Sequence, residues 1–280
     1  MPRRPTHCQL FVLLARRAPR GVILRRGPST WTQLVSWSTR SDTFEAGQWF
    51  HGKLYERRCD LSPSGERLIY FVAKHHLQKV DPSYTSAWTA ISKPPYFTAV
   101  ALWPNGGTTY HGGGLFAGEE LVLVNAVENR WSGDRPPSAH PKHVPPKRVS
   151  VSPIAFTSGD QLFAKRLVRD GWTQESGASL DADNLDPSGR LTRETKHVRL
   201  QLDFGYQKLE YALFVRLRGR WEARAFEGVG WADFDQGGRL VFAREGKLFA
   251  RGEDGEARLL ADFDGRKPAR ILAPAHARKW

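Results

Sequence analysis

Arginine carries most of the chemistry on offer in this sequence. Arg16, Arg17, Arg20, Arg25 and Arg26 fall close together near the start. Residues 1–50 hold eight arginines against two acids, a net of +6 out of +13 for all 280 residues. A second set, Arg216, Arg218, Arg220 and Arg224, is interleaved with Leu217, Trp221 and Phe226. Strict alternation places Arg216, Arg218 and Arg220 on one face of a strand. Guanidinium groups beside aromatic rings can hold phosphates and stack bases. They can equally steer an acidic protein by long-range attraction, or simply form the solvated face of an ordinary strand. The candidate partner-contacting residues are therefore Arg16, Arg17, Arg20, Arg25, Arg26, Arg216, Arg218 and Arg220.

Other chemistry is sparse. His140-x-x-His143 has no cysteine or carboxylate at ligand spacing and reads as a pair of solvated loop histidines. Asp181, Asp183 and Asp186 offer hard oxygen ligands but fail the EF-hand pattern at its fifth and twelfth positions. The glycines at 112–114 lead into a strand, so the helix N-terminus of a dinucleotide site is missing and a glycine turn is expected. The sequence contains no Gly-x-Ser-x-Gly, no Walker loop, no His-Glu-x-x-His and no Cys-x-x-Cys. No catalytic residue, cofactor or metal is assigned. A hydrolase drawing on residues from dispersed loops stays open as an alternative. Cys8 and Cys59 sit among apolar, strand-like residues and read as buried free thiols in a reducing compartment.

The elements that must position these groups are strands. Ten Trp, 15 Phe and seven Tyr against one Met is a β-leaning balance, and 26 Gly with 18 Pro imply many turns. A content of 40% hydrophobic and 25% charged residues belongs to a folded globular chain. The apolar run 9–15 follows Arg3-Arg4 like the start of a signal peptide. Arg16-Arg17 come next, where a cleavage site needs small neutral residues, so the run reads as a first strand. No stretch reaches the roughly 18 apolar residues of a membrane span. The expectation is a cytoplasmic protein without membrane contact.

Two similar stretches set the architecture. Asp60-Leu-Ser-Pro-Ser-Gly-Glu-Arg-Leu-Ile-Tyr-Phe71 is echoed by Asp233-Phe-Asp-Gln-Gly-Gly-Arg-Leu-Val-Phe242. Each reads as a strand end, a glycine-bearing turn and a returning apolar strand. The clearest group is the last, with strands over 229–234, 239–243, 247–251 and 256–261. Four short strands joined by tight turns make one blade of a β-propeller. Further strands are expected at 9–15, 21–24, 31–38, 43–50, 87–91, 97–103, 120–125, 149–153, 161–168, 198–204, 209–217 and 221–226. No segment shows a sustained helical period. The prolines of 131–148 predict an exposed, extended loop, and about 173–196 reads as a polar loop.

The stretch at 60–70 resembles the repeat of WD40-like propellers of the TolB type, whose blades carry a Ser-Pro-Asp-Gly turn before an apolar strand. Ser64 stands where that repeat has Asp, and Asp235-Gln236-Gly237-Gly238 departs further. The resemblance implies a fold and no catalytic residue. The fold expected over 1–280 is one all-β domain, a propeller of five or six four-stranded antiparallel blades. Its ring would close between strand 9–15 and the C-terminal strands near 258–263. The function expected is a non-enzymatic protein-interaction scaffold, with nucleic acid as the alternative partner.

Overall fold

The apolar run near the start forms β1 (Gln9–Leu14), buried on both faces from Leu10 to Leu13. A strand in that position needs a continuous hydrophobic stretch with no alternation, which is why it imitates a leader sequence. The computed structural model describes residues 7–280 except 28, 75–84, 106–108, 110, 126–137, 155–157, 177–187, 206–207 and 253–254. The chain is all-β, with several antiparallel sheets and one α-helix among the described residues.

Five sheets follow one another, each built from strands consecutive in sequence. The first continues with β2 (Arg20–Arg26), β3 (Trp31–Ser38) and β4 (Thr43–His51). The second holds β5 (Lys53–Leu54), β6 (Asp60–Leu61), β7 (Leu68–Ala73), β8 (Ala87–Ser92) and β9 (Ala99–Pro104). The third has β10 (Gly114–Phe116), β11 (Leu121–Val124) and β12 (Ser150–Pro153). The fourth comprises β13 (Thr173–Ser176), β14 (Gly189–Glu194), β15 (Val198–Gly205), β16 (Lys208–Leu217) and β17 (Arg220–Arg224). The fifth is β18 (Val229–Phe234), β19 (Leu240–Arg244), β20 (Lys247–Arg251) and β21 (Ala257–Asp262). Both echoed stretches are hairpins, β6–β7 and β18–β19, and their returning residues Leu68, Ile69, Tyr70, Leu240, Val241 and Phe242 are all buried. Gly65 and Gly238 take φ of +76° and +77° at matching places in the two turns, as tight reversals require.

Neighbouring sheets touch in chain order. Gln48 in β4 donates its backbone N–H to Pro95 O at 2.9 Å, joining the first sheet to the second. β10 lies against β6 and β7, β16 against β18, and β1 against both β18 and β19, so the last sheet returns to the first. Helix α1 (Gly159–Arg169) contacts β10 on one side, and its Phe163 packs edge-on against Phe204 of β15 on the other.

Five sequence expectations are corrected. Residues 161–168 are helical, where a strand was expected. Ser158 Oγ accepts the Gln161 N–H and Gln161 Oε1 accepts the Ser158 N–H, a reciprocal capping box that starts the helix. Leu162, Phe163 and Leu167 then share its buried face. The polar stretch about 173–196 begins and ends in strands, because β13 and β14 pair across it. Asp181, Asp183 and Asp186 lie outside the described residues.

The third correction concerns the antiparallel pattern. β12 runs parallel to β11. A parallel pair needs a long crossover, and the Pro-rich segment is that connection. Residues 131–137 lie outside the described residues, but the remainder is not a free loop. His140 donates its backbone N–H to Leu102 O at 2.8 Å, and Leu102 donates to His143 O at 3.1 Å. The segment thereby covers the outer edge of β9, and His140 is buried rather than solvated.

Finally, β1 pairs only with β2 and β21 only with β20 among the described residues. No strand ladder joins the first and last sheets. Side chains fasten them: Asp264 Oδ1 accepts the Cys8 N–H at 2.8 Å and Arg25 Nε donates to Phe263 O at 2.9 Å. Arg239 of the last sheet forks onto both oxygens of Asp42 at 2.9 Å each, donates to Thr39 O and also holds Asp235. Asp42 is partly buried, which opposes its charge, but hydrogen bonds from Arg239 hold its carboxyl below the usual range.

Two predictions follow from these joints. A Cβ on Gly47 would lie 1.8 Å from Pro95 O, inside van der Waals contact, so Gly47→Ala must prise the first two sheets apart. A loss of at least about 2 kcal/mol is expected in thermal or urea melts, and wild-type stability would show that this contact yields freely. Arg239→Ala should cost about 2 kcal/mol, seen as a fall of several degrees in Tm. An unchanged Tm would mean that the apolar packing alone holds the last sheet to the first.

Candidate functional site

The arginines singled out from the sequence do not form one surface. β2 separates Arg20 from Arg26 by about 20 Å at the usual rise per residue. Arg17 and Arg20 are exposed at the β1–β2 turn, with Arg20 paired to Glu66 at 3.5 Å. Arg25 is buried, bonded to Phe263 O and lying over the Trp49 ring, so it is a structural cation unavailable to a partner. Arg26 pairs with Glu56 at 3.6 Å. In the second set, Arg218 occupies the β16–β17 turn with φ +48°. The turn breaks the alternation: Arg216 lies opposite Trp221 and Leu217 opposite Arg220. Arg216 and Arg220 therefore take opposite faces of the hairpin.

That hairpin is an exposed basic feature. Arg216, Leu217, Arg218, Arg220 and Arg224 are all exposed, and Glu222 is the one acid between 216 and 224. The guanidiniums of Arg199 and Arg216 lie over the Trp221 ring at 4.8 and 5.7 Å. Arg199 is itself held by Glu194 at 2.7 Å.

Arg16 goes elsewhere, into the middle of the molecule. β1 has a cavity at each end. One of about 450 Å³ is lined by His7, Cys8, Phe11, Glu56, Arg57 and Arg244, and the other, of about 370 Å³, by Arg16, Asp60, α1 and β18. Phe11 faces the first and Phe163 the second, and their rings meet at 6.2 Å. Cys8 and Cys59 are free and buried, as expected, and burial pushes both thiols up to about 12. They are not nucleophiles at neutral pH.

The second cavity is rich in charge. Asp60 is 2% exposed; it takes two bonds from Arg169, at 2.6 and 2.8 Å, and one from the Phe116 N–H at 2.7 Å. Asp233 accepts from Arg193 at 2.5 Å and from Trp172 Nε1 at 3.4 Å. Asp170 accepts from Arg169 at 2.8 Å, and burial pushes its carboxyl up to about 6 against that attraction. Arg166 lies over the rings of Phe11 and Phe163 at 5.4 and 5.2 Å. Asp60 and Asp233 are the first residues of the two echoed stretches. The repeat thus delivers the same carboxylate twice to one cavity. The sequence reading places these aspartates at strand ends and gives them no role in a site; their shared place in the echo is the available signal. Arg166 is hidden because 161–168 reads as a strand, and Arg169 because it follows that stretch with no motif of its own.

Among the described residues no group of histidine, cysteine or carboxylate side chains has metal-site geometry. No helix among them is long and apolar enough to cross a membrane.

No family model matches this chain, and no curated protein matches it. A similar solved structure is the β-propeller domain of the Trilobed protease from Pyrococcus furiosus, described as having an open velcro topology. The likeness covers 93% of this chain and 100% of that one at 8% identity, with a TM-score of 0.34. At that score it carries no argument, and the site is read from its own geometry.

Proposed function

We propose that this chain is a non-enzymatic interaction scaffold, a propeller-type ring of five blades, that captures an acidic protein surface on its β16–β17 hairpin. The observation that carries the reading is the excess charge of that hairpin. Four arginines and one glutamate lie between 216 and 224, a net of +3, on strands exposed to solvent. Exposed Leu217 adds apolar area beside them. A rim of this kind governs encounter rate and salt dependence more than final contact energy. A protein surface suits it better than single-stranded nucleic acid. Base stacking needs an open aromatic face, and Arg199 and Arg216 already lie over Trp221.

The test is capture of poly-L-glutamate and, separately, of random-sequence duplex DNA by the immobilised chain at several salt concentrations. Poly-L-glutamate should be held at low salt and released as salt rises. Changing Arg216, Arg218 and Arg220 together to Glu should slow its association about tenfold or more with Tm unchanged. Stronger retention of DNA at physiological salt, lost in the same variant, would replace this reading with the nucleic-acid one. Equal capture by variant and wild type, or no capture of either probe, would refute it.

A further inference from the structure

The cavity lined by Arg16, Asp60, α1 and β18 holds two cations to which no carboxylate among the described residues is bonded. Four guanidiniums line it. Arg169 is held by Asp60 and Asp170, and Arg193 by Asp233. Arg16 and Arg166 pair with no carboxylate among the described residues. Arg16 Nη2 donates to Phe116 O at 2.7 Å and Arg166 Nη1 to Cys59 O at 2.8 Å, both neutral carbonyls. Arg16 Nε is buried without a hydrogen-bond partner, and Arg166 is 3% exposed. Desolvation lowers the pKa of each, against the attraction of Asp60 and Asp170 nearby.

Each acid of the cavity is bonded to another partner, and Asp170 shares Arg169 with Asp60. Asp60 serves Arg169 and the Phe116 N–H. Asp233 serves Arg193, Trp172 and the Phe234 N–H. Asp235 serves Arg239 and the amides of its own turn. A buried cation without a carboxylate bonded to it is costly, and a carbonyl supplies a dipole in place of a charge.

We infer that this cavity binds a small oxyanion, the carboxylate or phosphate head of a small solute, which neutralises Arg16 and Arg166. Guanidinium forks match both head groups with paired N–H donors. A volume of about 370 Å³ admits a small metabolite and excludes a folded chain. Tyr211 of β16 lines the site, but the exposed 216–224 end of the hairpin does not, so the site stands whether or not that surface binds a protein.

The experiment is calorimetric titration of the full chain with inorganic phosphate and, separately, with succinate, at ionic strength held constant by chloride. One or both should bind saturably near one per chain and raise Tm. Saturation by phosphate alone assigns the phosphate class, and by succinate alone the carboxylate class. Arg16→Gln should weaken binding about tenfold or more, while exposed Lys142→Gln leaves it unchanged. If Arg16→Gln does not fold, Arg16→Lys, which keeps the charge but loses the fork, should show the weakening. The inference is overturned if neither anion saturates below about 10 mM. It is equally overturned if the folded Arg16 variant binds as the wild type does.

Discussion

A single carboxylate kept out of water, Asp60, ties the middle of this fold together. It belongs to the second sheet, takes its backbone donor from Phe116 of the third and its two charged donors from Arg169 of α1. Every oxygen lone pair spent here is spent across an element boundary. A buried ion pair adds little net stability over apolar packing, yet removing one partner strands the other at high cost. The bond set therefore acts as a specification: the helix can dock in one register only. Once it does, Phe163 is fixed against Phe11 and Phe204, and the space around β1 is divided into two cavities.

The fifth sheet repeats the device with different parts. Asp233 stands at the corresponding strand end, but its cation, Arg193, comes from β14. The turns that follow also match in their work. Pro63 O accepts the Arg17 N–H at 2.9 Å, and Gln236 Nε2 donates to Ala15 O at 2.6 Å, so the β1–β2 turn is gripped from both sides. Repetition here conserves a role at the centre while the partners are recruited from whichever element lies nearest.

Much of this was legible in the sequence because most strands are local hairpins whose turns carry their own chemistry. Gly65, Gly238 and the short strands joined by tight turns at 229–251 announced themselves. The rest depended on partners distant in the chain. Helix α1 was missed because its eight-residue apolar segment fits strand and helix equally, and only the Ser158–Gln161 box decides between them. The parallel pairing of β12 follows from the route of a proline-rich connection, which no local pattern reveals. For the arginines, composition gave the excess charge but not its address. Arg25 and Arg16 look alike in sequence, yet one is a structural tie under Phe263 and the other lines a cavity.

The absence of a shared ladder between β1 and β21 also bears on how such a chain can grow. Each sheet completes its hydrogen bonding with strands drawn from one continuous stretch of sequence. Duplicating or deleting one stretch thus adds or removes a whole sheet and leaves the ladders of the others intact. What must be refitted is the packing at the seams and a short set of bonds across them, such as Arg239 to Asp42, Cys8 to Asp264 and Gln48 to Pro95. Sheet number in this architecture is accordingly a modular quantity, set by seam residues far more than by backbone pairing.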